Sequence, residues 1–184
     1  MEWVVVMVEV ISLSESERSD LLAGCGEVNE LLTWLDTLDT RPGLEDLAQR
    51  LESIQIHPDS VRNHIGYAEA GYKRNIIKKT ENYEMVLIAW KAGQDTPIHD
   101  HRGSDCAFHI IEGESTETVY ELNDSGLAVP VEQRIYLPGT VCAASEPDIH
   151  RISNDTDSNL INLHVYTPPL SGFGIYDAAW SYSE

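Results

Sequence analysis

From Tyr72 onward the chain consists of short segments rich in Val, Ile, Tyr and Thr, divided by turn clusters such as Lys91-Ala92-Gly93, Asn123-Asp124-Ser125-Gly126 and Pro138-Gly139. This cadence constrains the fold more than any other feature. β-branched and aromatic side chains suit a pleated, half-buried surface, while Gly, Asn, Asp and Pro supply the backbone angles of tight turns. The pattern predicts strands near 73–79, 84–91, 106–112, 115–122, 128–136, 140–144, 149–154 and 159–167. Short strands in such number pack as a sandwich or jelly-roll barrel, which hides sheet edges and leaves an interior cavity for a ligand. The expected class is mainly β, with the barrel over 72–184.

Ahead of Tyr72 the periodicity is helical. Val28, Leu31, Leu32 and Leu35 recur at helical spacing until Arg41-Pro42-Gly43 breaks the pattern. A second helix is expected over Leu44 to Ile54, and a third from about Asp59 to Ala70, with Pro58 at a plausible first helical position. Together they make an N-terminal α-helical cap over 27–71. Residues 12–20 read as a polar linker, and the apolar run Trp3 to Ile11 as an added strand, a packing arm or the product of a misplaced start codon. Residues 1–26 are thus an extension of undecided role. The run is too short for a bilayer, which takes roughly 20 residues. Glu2 and Glu9 flank it and no basic region precedes it, so it is also a poor signal peptide.

The chemistry-bearing stretch is Pro97-Ile98-His99-Asp100-His101-Arg102-Gly103-Ser104-Asp105-Cys106. On a strand His99 and His101 project to the same face and can close on one ion. Such a pair also occurs by chance on exposed strands, so its surroundings decide. Gly93 and Gly113 flank the stretch, and His150 precedes Asn154 with three residues between them. In this arrangement the chain resembles the two sequence boxes of the cupin family, with Cys106 where that family usually has a metal-ligating glutamate. The second box is imperfect, since Pro138-Gly139 lies far from His150.

The branch of cupins with cysteine in that place is the cysteine dioxygenase family, and four segments between about Tyr72 and Asp177 resemble it in order. The resemblance implies a cupin-type jelly-roll, with His99, His101 and His150 as ligands of a mononuclear non-haem Fe(2+). It also implies Arg74, within Tyr72-Lys73-Arg74-Asn75, as the clamp for a substrate carboxylate, with Tyr72 beside it. Tyr166 would stand next to the metal-bound sulfur, oriented by His164, and Cys106 can be joined to Tyr166 by a thioether bond. The family extends its tyrosine-histidine pair with a serine where this chain has Asn162, and turns on a cis-proline where this chain has Thr167-Pro168-Pro169. The activity implied is oxidation of L-cysteine to cysteine sulfinate by O2. Alternatives are a dioxygenase of 3-mercaptopropionate or another small thiol, and, in a different class, a metal-containing cupin that binds a ligand without catalysis. Dioxygenases of 3-mercaptopropionate tend to have glutamine in place of Arg74, which favours cysteine.

Charge narrows the partners. A net charge of -19 leaves few Lys and Arg for phosphate contacts, so neither nucleic acid nor an anionic membrane is an expected partner. The partners expected are a small-molecule thiol and O2, and a monomer is the simplest oligomeric reading. Cys25, Cys106 and Cys142 are too few and too scattered for a disulfide scaffold or a structural zinc site, which suits a reducing cytoplasm. At 184 residues, 42% of them hydrophobic, the chain is read as a single cupin domain over 27–184 behind its extension. His57, His64 and His109 are read as bystanders, Trp90 as core, and Cys25 and Cys142 as buried small hydrophobes.

Overall fold

The computed structural model describes residues 8–144 and 149–179; residues 1–7 of the opening apolar run and Asp148, in the third-histidine segment, lie outside the described residues. The elements follow in the order β1 (Val8–Ser12), α1 (Glu15–Gly24), α2 (Gly26–Asp36), α3 (Leu44–Glu52), α4 (Pro58–Arg62), β2 (Tyr72–Lys79), β3 (Glu84–Trp90), β4 (Asp105–Glu112), β5 (Ser115–Leu122), β6 (Ala128–Tyr136), β7 (Val141–Ala144), β8 (Ile149–Ser153) and β9 (Leu160–Thr167). A six-stranded sheet runs β1-β2-β3-β9-β4-β7, and a three-stranded sheet runs β6-β5-β8. This is the double-layered β architecture expected of a cupin, mainly β with helices over one face.

The six-stranded sheet is covered on both sides, and its sequence shows why. β3 is buried along its whole length, and after Glu84 it reads as an unbroken apolar run from Met85 to Trp90 with no polar alternation. Its side chains nevertheless alternate in destination. Met85 and Leu87 join the helices' Leu21, Val28, Leu31, Leu35, Leu47 and Leu51 in one core. Val86, Ile88 and Trp90 point the other way, into a second cluster with Tyr72, Cys106, Phe108 and Tyr166. The helical cap therefore seals the outer face, and the inner face is free to line a cavity.

Three expectations need correction. The polar stretch read as a linker holds helix α1: Ser14 accepts from the Glu17 amide while Glu17 Oε2 accepts from the Ser14 amide at 2.8 Å, a complete capping box. Its polar residues face solvent, and Leu21 alone in the helix is fully buried. The third helix stops at Arg62 instead of continuing towards Ala70. Its continuation is consumed by Asn75, whose side chain accepts from the Gly66 amide at 3.0 Å and donates to the Gly66 carbonyl at 3.2 Å. Cys142 is only half buried, although Cys25 is buried as expected. The described part of the opening run, from Val8, is an added strand, parallel to β2 in the register Val8 to Tyr72.

Gly113, at the turn from β4 to β5, has φ 79°, and a Cβ there would lie 2.3 Å from the Asn159 carbonyl oxygen. Both the backbone angle and the contact exclude a side chain. Gly113→Ala is expected to cost about 2–4 kcal/mol, read as a lower urea midpoint at unchanged slope. A midpoint within error of the parent would show that the turn relaxes freely.

Candidate active site

The two sheets converge on one cluster. Segment 95–99 adds to the free edge of β8 through bridges Asp95 to Ser153 and His99 to His150. His99 and His150 exchange both backbone hydrogen bonds at 2.9 Å, so their side chains emerge side by side on the same face. His99 stands on this bridge and His101 in the irregular segment after it, not on a regular strand, yet their rings still face the same way. Nε2 of His101 lies 3.2 Å from Nε2 of both His99 and His150. All three histidines are buried.

These nitrogens fit a metal better than they fit each other. His99 Nδ1 donates to the Pro97 carbonyl at 3.0 Å, and His150 Nδ1 donates to Glu117 Oε1 at 2.7 Å. The Nε2 of His99 and the Nε2 of His150 then each carry a lone pair aimed into the cluster, and lone pairs cannot bond one another. Around an ion with bonds of about 2.1 Å, adjacent nitrogens stand about 3.0 to 3.4 Å apart, which brackets the two spacings to His101. Burial, reinforced by the neighbouring His150, brings the His99 pKa down to about 3, and burial does the same to His101, to about 2. Both rings are neutral at pH 7. Imidazole donors suit iron, zinc, copper and nickel alike, so the donor set suits a metal without choosing its ion.

Glu117 is the participant that the sequence did not reveal. It is 1% exposed, and its second oxygen accepts from Tyr136 Oη at 2.7 Å. Burial raises its carboxyl, but the bonds from His150 and Tyr136 outweigh this and hold it below the usual value. The carboxylate fixes the His150 tautomer and places a negative charge behind a ligand. An acid within Ser115-Thr-Glu-Thr-Val119 carries no sequence signal of this kind, because only the pairing of β5 with β8 brings it to His150.

The remaining candidates meet at the same cavity, whose volume is about 360 Å³. It is lined by Tyr72, Arg74, His99, His101, Cys106, His150, His164 and Tyr166, with apolar walls from Ile88, Trp90, Phe108 and Phe173 among others. Cys106 and Tyr166 are direct cross-strand partners on β4 and β9. His164 Nδ1 lies 3.2 Å from Tyr166 Oη and 3.6 Å from Cys106 Sγ. Burial pushes the Cys106 thiol and the Tyr166 phenol up, and it holds His164 far below its usual value, so all three are neutral at pH 7. Arg74 sits 5.0 Å over the Tyr166 ring and donates to Glu84 Oε1 at 2.7 Å. Lys79 reaches the other Glu84 oxygen at 3.1 Å, so two cations share one carboxylate and the group keeps a net positive charge.

Other expectations resolve simply. Asn162, in the place of the family's serine, turns its carbonyl to Trp90, with Oδ1 accepting from Trp90 Nε1 at 3.1 Å. Trp90, read as core, is therefore both core and a polar neighbour of the site. His109 faces the cap and bonds the Leu51 carbonyl at 3.0 Å, and His57 accepts from the Asp59 amide, as bystanders would. Thr167-Pro168 is cis. Asp100, between the two ligand histidines, accepts from the Gly174 amide and from Tyr176 Oη, both at 2.6 Å, and so ties the segment around Phe173 against His99.

Glu117→Gln keeps an acceptor for His150 while removing the charge. Metal affinity, measured by competition with a chromophoric chelator, is expected to fall roughly 10–100-fold. An unchanged affinity would reduce Glu117 to a packing role.

Comparison with known proteins agrees with this geometry. Cysteine dioxygenase type 1 from Danio rerio and from Homo sapiens are each 24% identical over 140 residues, covering 73% of this chain and 70% of theirs. A double-stranded β-helix protein from Klebsiella pneumoniae superposes with TM-score 0.53 at 18% identity, over 64% of this chain and 88% of its own. TT1209 from Thermus thermophilus does so with TM-score 0.50 at 24% identity, over 59% and 94%. The sequence model described as cysteine dioxygenase type I matches residues 42–179, three quarters of the chain and every residue of the cluster, and on that ground the chain belongs to the cysteine dioxygenase type I family.

Proposed function

We propose that the protein is a thiol dioxygenase that oxidises L-cysteine to cysteine sulfinate with O2 at a mononuclear iron(II) held by His99, His101 and His150. The observation that carries this reading is the shared cavity: three converging neutral imidazoles, a net cation at Arg74 and the Cys106–Tyr166 pair all face one space. Iron, when bound, would supply the redox chemistry that lets O2 react with a thiolate, which zinc cannot do.

The chain's own residues do the rest. Arg74 offers a guanidinium edge for the substrate carboxylate, and its bond to Glu84 fixes the side chain in advance. Three imidazoles without a carboxylate ligand leave a dipositive ion uncompensated, which favours an anionic thiolate. Glu117 moderates that charge from behind His150. Tyr166 Oη stands beside the sulfur, and the apolar walls exclude bulk water. Both atoms of O2 end on sulfur, and the four electrons come from the thiol, so no separate reductant is required.

The test is oxygen uptake by iron-loaded protein with L-cysteine, 3-mercaptopropionate and cysteamine, in the parent and in Arg74→Gln. L-cysteine is expected as the best substrate. Arg74→Gln should lower kcat/KM for L-cysteine by about 2–4 kcal/mol in transition-state terms, and for cysteamine, which lacks a carboxylate, far less. Equal losses would remove Arg74 from substrate binding, and a preference for 3-mercaptopropionate would replace the substrate.

Cys106 and Tyr166 are close enough in register for a thioether, formed by loss of the thiol hydrogen and one ring hydrogen with their electrons passing to O2. Turnover with cysteine is expected to produce a chain lighter by the mass of two hydrogens, mapped to the peptides holding these residues. Persistence of the full mass throughout turnover would leave Cys106 as packing alone.

A further inference from the structure

Asn162, His164 and Tyr166 alternate along β9 and share one of its faces. Trp90 Nε1 donates to Asn162 Oδ1 at 3.1 Å. An indole nitrogen can only donate, so the amide carbonyl must face Trp90 and the amide nitrogen must point elsewhere. That nitrogen is buried and lacks a hydrogen-bond partner among the described residues, and so does Nε2 of His164 two residues on. The first is an obligate donor, and the second accepts in one of its two neutral tautomers. Phe108 stacks on the His164 ring at 4.9 Å and 16°, which fixes the ring plane.

We propose that Trp90 and Asn162 are positioning residues that hold His164 as its Nδ1–H tautomer. The Asn162 amide donates to Nε2, after a small rotation or across one water. Nδ1–H donates to Tyr166 Oη, and the tyrosine's own proton is left to point at the substrate. The direction of the whole chain is set at its far end by the indole. With Nε2 protonated instead, two N–H groups would sit in the same dry space without an acceptor, and Nδ1 would draw the tyrosine proton away from the cavity. A serine in place of Asn162 can donate or accept and leaves that choice open; an asparagine held by Trp90 does not. Only the last link, to the substrate, rests on the thiol dioxygenase reading.

The experiment uses the full chain with 15N-labelled histidine, loaded with diamagnetic zinc, and reads the tautomer of His164 from its ring nitrogen shifts. His164→Gln identifies the resonances by their loss. The parent is expected to show the Nδ1–H form. Asn162→Asp, whose carboxylate accepts from both Trp90 and Nε2, is expected to convert it to Nε2–H, and Asn162→Leu and Trp90→Phe to give mixtures. A parent in the Nε2–H form, or a tautomer unchanged in Asn162→Leu and Trp90→Phe, overturns the proposal. These two variants bury no new charge, so the test stands even if the Asp variant fails to fold. In iron-loaded protein Asn162→Leu is expected to lower kcat roughly tenfold with little change in KM; equal kcat would remove the link to Tyr166. Absence of thiol-dependent oxygen uptake in the parent would remove the enzymatic reading, whereas the tautomer measurement still decides this one.

Discussion

The reciprocal backbone pair between His99 and His150 is the contact on which the site depends. It docks a loop against the free edge of β8 and fixes two ligands side by side without either relying on a long side chain to reach. His101 follows at the same facing, while Cys106, His164 and Tyr166 come from the opposite sheet. The histidine cluster is therefore held between two layers whose spacing is set by packed apolar residues, with the helical cap sealing the far side.

Charge is handled locally in a protein whose overall charge is strongly negative. Glu117 stands behind His150, Asp100 fastens the segment that covers His99, and Glu84 is shared between Arg74 and Lys79. Each buried carboxylate has its partners, as a dry interior requires. The cavity keeps a cation at Arg74 and neutral rings at its three clustered histidines.

Parts of this were legible before any coordinates. The strands from β2 to β9 follow the runs of β-branched residues closely, because turn chemistry and strand preference are local properties. Helix α1 was hidden by its polarity, although Ser14-x-x-Glu17 is a capping signature that a closer reading could have used. The early end of α4 was not legible, since it is imposed by Asn75 from another element. Glu117 and Glu84 belong to the same class: neither has a local pattern that separates a buried, partnered acid from a solvated one.

The sequence by itself determined the class of fold and the family, and it named the three histidines that come together, because those reside in composition, spacing and motif. Tertiary structure alone decided that His99 and His101 converge from a bridge instead of a strand, that Arg74 is braced by Glu84, and that the Asn162 carbonyl is turned to Trp90. The reason is physical: a motif names which groups are present, but the direction of a hydrogen bond depends on partners that the chain brings together only by folding.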